Sequence, residues 1–160
     1  RTYNGASTKG YDLLYIDVEE NQILEKYNNS DSLYVIDAIA PNMTKLNDLR
    51  VTNEKVELLN YPLKQVAIGA QELSTEGGMG KYLTIKYWYA EGLKVDKSKY
   101  AKVNKDLWAY FLNESDGSLY LKYEIDYFTY KVTYTAVDIL PGEFKKSKDK
   151  IGKDVPRIEQ

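Results

Sequence analysis

The sequence lacks histidine and cysteine altogether. Histidine is the commonest general base near neutral pH, cysteine is a frequent nucleophile, and the two supply most protein ligands for zinc and copper. Disulfide bridges and thiol chemistry are therefore excluded, and a metal ion would have to bind through carboxylate and carbonyl oxygens. We predict a protein that is not an enzyme, with no cofactor and no catalytic metal centre.

The chain also has little excess charge and no long apolar run. Its formal net charge is −2, whereas a nucleic-acid-binding protein needs a basic face that releases counterions from the phosphates. No stretch approaches the roughly eighteen apolar residues of a membrane-spanning helix. We therefore predict no nucleic-acid partner and no transmembrane segment in this fragment. Because the chain begins at Arg1, we interpret it as a mature or trimmed form, and the sequence leaves open whether a signal peptide or anchor was removed.

Tyrosine, in contrast, is abundant, with sixteen in 160 residues. Its large apolar ring and hydroxyl tip suit half-buried sheet positions and contact surfaces. Hydrophobic residues make up 43% of the chain and charged residues 29%, which is typical of a globular protein. At this length one domain is the default. We predict a polar arm at 1–10, a single globular domain at 11–144 and a charged tail at 145–160.

Charge is distributed unevenly along the chain. The segment 11–37 contains seven acidic residues and one basic residue, whereas 143–160 contains six basic and four acidic residues. Two separately solvated surfaces would explain this pattern. Alternatively, the acidic segment meets the basic tail within one molecule or between copies. The tail has no sustained apolar period, so we predict that it is dispensable for folding.

Strand-like segments recur about every ten residues between polar turns, as in β-sandwiches and barrels. The segment 81–90 alternates most regularly, and the glycine-rich link 77–80 joins it to 65–73 as in a hairpin. Further strands are predicted at 11–18 and 33–39. We predict an all-β fold, an antiparallel β-sandwich or open barrel of immunoglobulin-like type. The alternative is an α+β fold with one or two helices on an antiparallel sheet.

The longest strand-like run, 119–139, contains a change of phase. Odd positions are apolar up to Tyr127, and even positions are apolar from Phe128 onwards. Because side chains alternate with period two along a strand, this change requires an extra residue or a turn. We predict a bulge or a corner near Tyr127–Phe128, of the kind that carries a strand from one sheet to another.

Two segments fit both helix and strand. In 63–73 the apolar residues have helical spacing, but Val66 and Ile68 favour a strand and Gly69 costs a helix about 1 kcal/mol. In 99–112 the apolar spacing is again helical. However, Asp116-Gly117 is a strong turn signal, and strands on either side of it would make a hairpin.

The stretch from Lys81 to Tyr120 resembles the immunoglobulin-like accessory domains of bacterial surface lipoproteins. In both, a strand of alternating apolar residues leads through a polar link to an Asp-Gly hairpin, here at 116–117. The resemblance covers about a quarter of the chain. It implies a β-sandwich and assigns no functional residue.

Carboxylates are the main source of general acid and base chemistry that remains. Glu124 and Asp126 share one face of a predicted strand, and Asp17, Glu19 and Glu20 cluster in sequence. A glycosidase needs two carboxylates roughly 5–9 Å apart, one of them with a raised pKa. Acidic pairs on a solvated strand face meet that distance by accident. Neither the cluster at 17–20 nor the acidic turn at 113–116 has the ligand spacing of a calcium loop. A carboxylate-dependent hydrolase is therefore an alternative, behind a binding role.

Aromatic side chains are the main candidates for a functional site. Exposed tryptophan and tyrosine anchor protein partners or stack on sugar rings, and tryptophan is especially enriched at binding hot spots. We predict a contact surface that includes at least one of the two tryptophans. The predicted contact residues are Trp88, Trp108, Tyr87, Tyr89, Tyr110 and Tyr120.

Three Asn-x-Ser/Thr triplets begin at Asn28, Asn42 and Asn113, all in turn-like segments, as in exported proteins. The lack of cysteine fits either a reducing cytosol or an extracytoplasmic prokaryotic protein that does without disulfides. We therefore predict a non-catalytic extracytoplasmic contact domain, secreted or anchored at the cell surface, from a cell-envelope, pilus-like or virion component. Its partner would be a protein or further copies of the chain, and a carbohydrate-binding module is the alternative. The organism, the partner and the oligomeric state stay open.

Overall fold

The computed structural model describes residues 11–40, 44–72, 81–127, 129–140, 151 and 154–159. The predicted arm at 1–10, the glycine-rich link at 77–80 and Asn42 lie outside the described residues. The strands are β1 (Tyr11–Asp17), β2 (Gln22–Tyr27), β3 (Leu33–Asp37), β4 (Thr44–Leu58), β5 (Tyr61–Glu72), β6 (Tyr82–Lys94), β7 (Ser118–Asp126), β8 (Lys131–Thr135) and β9 (Arg157–Glu159). The helices are two 3₁₀ turns, Lys97–Tyr100 and Lys105–Leu107, and α1 (Trp108–Glu114).

The described residues form two compact units. The first unit contains β1, β2, β3 and β9, and the second contains β4 to β8 with the helices. The segment after Leu140 thus belongs with the first forty residues, and the second unit is an insertion between them. This arrangement differs from the single domain predicted at 11–144. The boundary is hard to recognise in sequence, because Pro41 has the same pattern there as an ordinary strand end.

The sheet of the first unit has the strand order β1-β2-β3-β9. The first three strands form an antiparallel meander, whereas β9 pairs in parallel with β3, with Leu33 opposite Arg157. The N–H of Leu33 also donates to the carbonyl oxygen of Pro156 at 2.8 Å. Ile151 is buried in the core of this unit with Leu13, Leu24, Leu33 and Val35. Residues of the predicted charged tail therefore supply an edge strand and a core side chain.

The sheet of the second unit has the sequential order β4-β5-β6-β7-β8, and all its strand pairs are antiparallel. The helical segment 97–114 connects β6 to β7 and packs on one face of this sheet through Leu107, Phe111 and Leu112. The facing strands contribute the buried side chains Val66, Ile68, Ala70, Leu83, Ile85, Tyr87, Tyr89, Tyr123 and Ile125. The prediction of a mainly β fold with antiparallel sheets is confirmed. The helix on this sheet corresponds to the α+β alternative.

The two ambiguous segments resolve in opposite ways. Residues 63–73 fall in β5 as far as Glu72, since Val66, Ile68 and Ala70 all face the core. Residues 99–112 are mostly helical, so the helical alternative holds for this segment and the β-hairpin around Asp116-Gly117 does not form.

That dipeptide instead terminates α1. The N–H of Gly117 donates to the carbonyl of Leu112 at 2.7 Å, and the N–H of Asp116 donates to Asn113 at 3.3 Å. Asp116 has a φ of 51° and Gly117 a φ of 76°. This is the Schellman arrangement, which satisfies the last carbonyls of a helix. The likeness to immunoglobulin-like accessory domains therefore fails at its Asp-Gly element.

The long run 119–139 does break where its phase changes, but by a hairpin turn. β7 ends at Asp126, β8 starts at Lys131, and the N–H of Tyr127 donates to the carbonyl of Tyr130 at 2.9 Å. Because β8 pairs with β7 in the same sheet, the predicted bend into another sheet is wrong. Phe128 lies outside the described residues.

The sequence pattern gives no indication of β4. This strand pairs with β5, but its register shifts between Leu46 and Asp48 and again between Thr52 and Val56. Each irregularity changes the phase of the side chains, so that Leu46 and Leu49 reach the same core despite their odd spacing. A period-two search cannot detect such a strand.

Candidate contact site

Three of the predicted contact residues lie in the interior of the second unit. Tyr87, Trp88 and Tyr89 are 1%, 3% and 5% exposed. Tyr87 and Tyr89 face the helical segment, whereas Trp88 lies on the opposite face in a cluster with Leu63 and Leu121. These rings therefore stabilise the fold, and they offer little surface to a partner.

Trp88 is enclosed despite its position on the outer face of the sheet. The Nζ of Lys122, which lies directly across from it on β7, is 4.1 Å from the centre of its ring. Its Nε1 is buried without a hydrogen-bond partner among the described residues. The cation–π contact and the surrounding apolar side chains together shield this ring from a ligand.

The other three predicted residues are more accessible. Trp108 and Tyr120 are partly buried, and Tyr110 is 49% exposed. Trp108 packs against Tyr100 with the ring centres 5.2 Å apart, and Tyr120 packs against Tyr87 at 5.2 Å. Tyr110, on the outer side of α1, is the predicted contact residue that the structure leaves most open.

The chain enters α1 through two consecutive left-handed residues. Asp106 has φ 51° and ψ 29°, and Leu107 has φ 58° and ψ 28°. Residues other than glycine rarely adopt this conformation, and a bulky residue such as leucine does so at a cost on the order of 1–3 kcal/mol. Backbone strain of this kind persists only where the surroundings enforce it, and it often occurs at functional sites.

Contacts with the core hold these two residues in the left-handed conformation. The hydroxyl of Tyr87 donates a hydrogen bond to the carbonyl oxygen of Asp106 at 2.7 Å. The Tyr87 ring stacks on Phe111, with centroids 4.4 Å apart and planes at 21°. Leu107 itself is only 3% exposed. The buried tyrosine therefore fixes both the start of α1 and the position of the residues that follow it.

A cleft of about 400 Å³ lies between the start of β4 and this left-handed pair. It combines apolar side chains with the polar groups of a threonine, a lysine and an asparagine, and none of its lining residues is acidic. Its lining residues are Thr44, Lys45, Leu46, Val103, Asn104, Leu107, Ala109 and Tyr110. A largely apolar cleft with a few polar groups can hold a side chain and orient its backbone by hydrogen bonds.

An aromatic cluster lies beneath the helical segment. Tyr123 packs against Tyr87 and Tyr120 with centroids 5.0 and 5.6 Å apart. Its hydroxyl is buried without a hydrogen-bond partner among the described residues. Burial raises the pKa of Tyr123 well above its usual value because a phenolate would lose its hydration there. This tyrosine is neutral at physiological pH and contributes to packing.

The acidic pair on β7 is held in ion pairs. The Nζ of Lys131 on β8 lies 3.1 Å from Glu124 Oε1 and 3.7 Å from Asp126 Oδ2. These interactions raise the pKa of Lys131, chiefly through its hydrogen bond with Glu124. One cation thus bridges both carboxylates of the pair.

The acidic cluster in the first unit stabilises a turn. The Oδ1 atom of the buried Asp17 accepts hydrogen bonds from the N–H groups of Glu19 and Glu20, at 3.2 and 3.3 Å. It thereby stabilises the connection between β1 and β2. Across the part of the chain that the structure describes, no group of three or more acidic side chains is arranged to hold a metal ion. None of the described helices is long and apolar enough to cross a membrane.

The sequence pattern does not indicate the cleft. Its walls come from the start of β4 and from the loop before α1, which are about sixty residues apart in the chain. Tyr110 is among the predicted contact residues, whereas the sequence does not signal the left-handed pair, because leucine at position 107 rarely adopts that conformation. The chain matches no protein-family model, no curated protein and no solved structure with which it was compared.

Proposed function

We propose that this chain is a non-catalytic contact domain whose second unit binds a protein partner in the cleft beside Tyr110. The observation that carries the proposal is the exposed ring of Tyr110 at the rim of a cleft whose wall includes the left-handed Leu107. A half-exposed tyrosine presents a large rigid surface at little cost in conformational entropy, which favours it as a binding anchor.

The chemistry of the cleft supports binding by packing and hydrogen bonds. Leu46, Val103 and Leu107 offer apolar contacts, and the polar side chains of Thr44 and Asn104 lie beside them in the lining. Lys45 adds one positive charge and favours a partner segment that carries a carboxylate. The cleft would therefore accept one or two side chains of a partner, at the scale of a transient contact.

A non-catalytic role is supported by the use of the acidic side chains. Asp17 stabilises a turn, and Glu124 and Asp126 are bridged by Lys131. The lining of the cleft contains no carboxylate. Its nucleophilic groups are the hydroxyls of Thr44 and Tyr110 and the amine of Lys45. These observations favour a binding role over a carboxylate-dependent hydrolase.

A carbohydrate ligand is the second candidate. The exposed ring of Tyr110 and the nearby amide of Asn104 resemble the combination that sugars require, which is an aromatic platform with hydrogen-bonding groups beside it. The tryptophans do not strengthen this candidate, because Trp88 is buried and Trp108 is partly buried.

We further propose an extracytoplasmic location, in a cell-envelope, pilus-like or virion component. The support comes from the absence of cysteine and from the triplets at Asn28 and Asn113, whose asparagines are exposed. Fractionation of the native cells with an antibody against the chain tests this location, and recovery with the cytosolic fraction would contradict it.

The contact role is tested by affinity capture with the wild-type chain and two variants, Tyr110→Ala and Tyr82→Ala. Tyr82 is the matched control because it is 70% exposed on β6 and does not line the cleft. Tyr110→Ala should reduce retention of a specific protein by tenfold or more, which is about 1.4 kcal/mol or above, while its thermal midpoint stays unchanged. Equal retention by both variants would contradict the cleft, and specific binding on a glycan array would favour the carbohydrate candidate.

A further inference from the structure

The outer edge of β4 is open in the part of the chain that the structure describes. β4 is the first strand of its sheet, and its one strand neighbour is β5. Between its two irregularities, the residues from Asp48 to Thr52 pair with β5 in unbroken register. An open, regular edge presents unpaired N–H and C=O groups and is a template for another strand.

The two faces of this short stretch differ in character. Leu49 lies opposite Ile68 and packs against the core beneath the helical segment, and Val51 on the same face is 52% exposed. Asp48 and Arg50 lie on the other face, where Arg50 Nε is 2.6 Å from Asp48 Oδ2. The side chain of Asp48 is 49% exposed and that of Arg50 is 75% exposed.

We propose that two copies of this chain associate through the outer edges of β4, antiparallel about a two-fold axis at Leu49. A two-fold axis perpendicular to a sheet places each residue opposite a residue of the second copy on the same face. With the axis at Leu49, Asp48 lies opposite Arg50 of the second copy, and the reciprocal pair forms on the other side of the axis. The two exposed ion pairs then bridge the copies.

The neighbouring registers are disfavoured by charge. An axis at Asp48 would place two carboxylates directly opposite each other, and an axis at Arg50 would do the same with two guanidinium groups. Like charges at opposite positions destabilise strand pairs, whereas opposite charges stabilise them. An axis at Val51 would place Arg50 opposite Thr52 of the second copy, and Asp48 would lie opposite the irregular segment that follows Thr52. Among these registers, the axis at Leu49 is the one that pairs unlike charges.

The association goes beyond the proposed cleft contact, and it does not require Tyr110. Tyr110 lies on α1, outside the paired edge. Tyr110→Ala should therefore keep the dimer, so failure of the cleft contact and failure of the dimer are distinguishable. Because the regular stretch is short, we expect a weak dimer whose proportion rises with protein concentration.

Charge reversal provides the test, with sedimentation equilibrium of the full chain as the readout. Asp48→Arg alone and Arg50→Asp alone should each shift the protein towards monomer. Each should raise the dissociation constant of the dimer at least tenfold. An equimolar mixture of the two variants should associate, since each then offers the charge that the other lacks. The double variant, Asp48→Arg with Arg50→Asp, should recover the wild-type dimer.

The matched control is the exposed ion pair between Lys64 and Glu91, whose Nζ and Oε1 atoms are 2.7 Å apart. Exchanging these two residues should leave the dimerisation constant unchanged. A wild-type protein that stays monomeric at millimolar concentration overturns the proposal. Single reversals that dimerise as the wild type does, or a mixture that stays monomeric, also overturn it. If a reversal impairs folding, Asp48→Asn and Arg50→Gln replace it, and each must weaken the dimer.

Discussion

At the scale of single residues, tyrosines in the second unit serve distinct purposes. Tyr87 is buried and ties the core to the strained entrance of α1 through its hydroxyl. Tyr123 is buried too, but its hydroxyl has no hydrogen-bond partner among the described residues. Tyr110 is half exposed at the rim of the cleft. The same side chain thus provides a structural hydrogen bond, a packing contact and a candidate binding anchor.

Replacing Tyr123 with phenylalanine should stabilise the protein. Leaving a buried polar group without a partner costs roughly 1–3 kcal/mol, and phenylalanine keeps the ring contacts. We expect a gain of about 1 kcal/mol in the free energy of unfolding at pH 7, measured with urea. A loss of stability instead would show that the hydroxyl has a partner in solution.

The same variant should change the alkaline stability profile. Burial raises the folded-state pKa of Tyr123, and also those of Tyr89 and Tyr127, above the unfolded value of about 10. Between about pH 10 and the raised pKa, the unfolded chain has lost protons that the folded chain keeps. Stability therefore falls as pH rises through that window and is independent of these groups below it. Tyr123→Phe should make the fall shallower, whereas Tyr82→Phe, an exposed control, should leave it unchanged.

The sequence correctly identifies aromatic residues as the distinctive feature, but it cannot separate the buried ones from the exposed ones. Tyr87, Trp88 and Tyr89 are consecutive on β6, so aromatic rings point to both faces of the sheet. From the alternation of side chains alone, one of the two faces of β6 would be expected to be exposed to solvent. In the structure both faces are covered at this point, one by the helical segment and the other by Leu63 and Leu121.

At the scale of elements, the turn signal at Asp116-Gly117 is real but serves a helix. Glycine at positive φ suits a β-turn and a Schellman motif equally well. The choice depends on whether the preceding residues are helical. Phe111 and Leu112 settle it, since both reach the core from one turn of α1. Local sequence contains no information about the sheet that they pack against.

Gly117→Ala should therefore destabilise the second unit. A Cβ atom at Gly117 would lie 2.7 Å from the carbonyl oxygen of Val95, and its φ of +76° is strained for alanine. We expect a loss on the order of 1–3 kcal/mol. Gly92→Ala is the control, because nothing lies within 4 Å of its Cβ position, and it should stay within about 0.5 kcal/mol. Equal effects of the two substitutions, measured by chemical unfolding, would contradict the assigned turn.

The terminal strand gives a second prediction for an element. The sequence predicts a dispensable tail, whereas Ile151 is buried with Leu13 and Leu33, and β9 pairs with β3. Ile151→Ala should cost about 2–4 kcal/mol in stability, as for other buried isoleucines. Ile158→Ala is the matched control, since Ile158 is 41% exposed, and it should cost less than about 1 kcal/mol. If both variants unfold at the wild-type urea midpoint, the tail is dispensable after all.

At the scale of the whole molecule, the antiparallel β character is predictable and the division into units is not. Regular alternation in 81–90 and 119–126 identifies strands that the structure contains as β6 and β7. The first unit, however, depends on the pairing of β3 with β9, which are more than a hundred residues apart. Apart from three scattered apolar residues, the C-terminal segment is mostly charged and polar, so its role in a sheet becomes visible only through that distant partner.

Photo-crosslinking in the native cells tests the contact role most directly. A photoreactive amino acid replaces Tyr110 in one variant of the full chain and the exposed Tyr82 in another. We expect a discrete protein adduct from position 110 that is absent from position 82. No adduct from position 110, or the same adducts from both positions, would contradict the claim that the cleft beside Tyr110 is where this protein meets its partner.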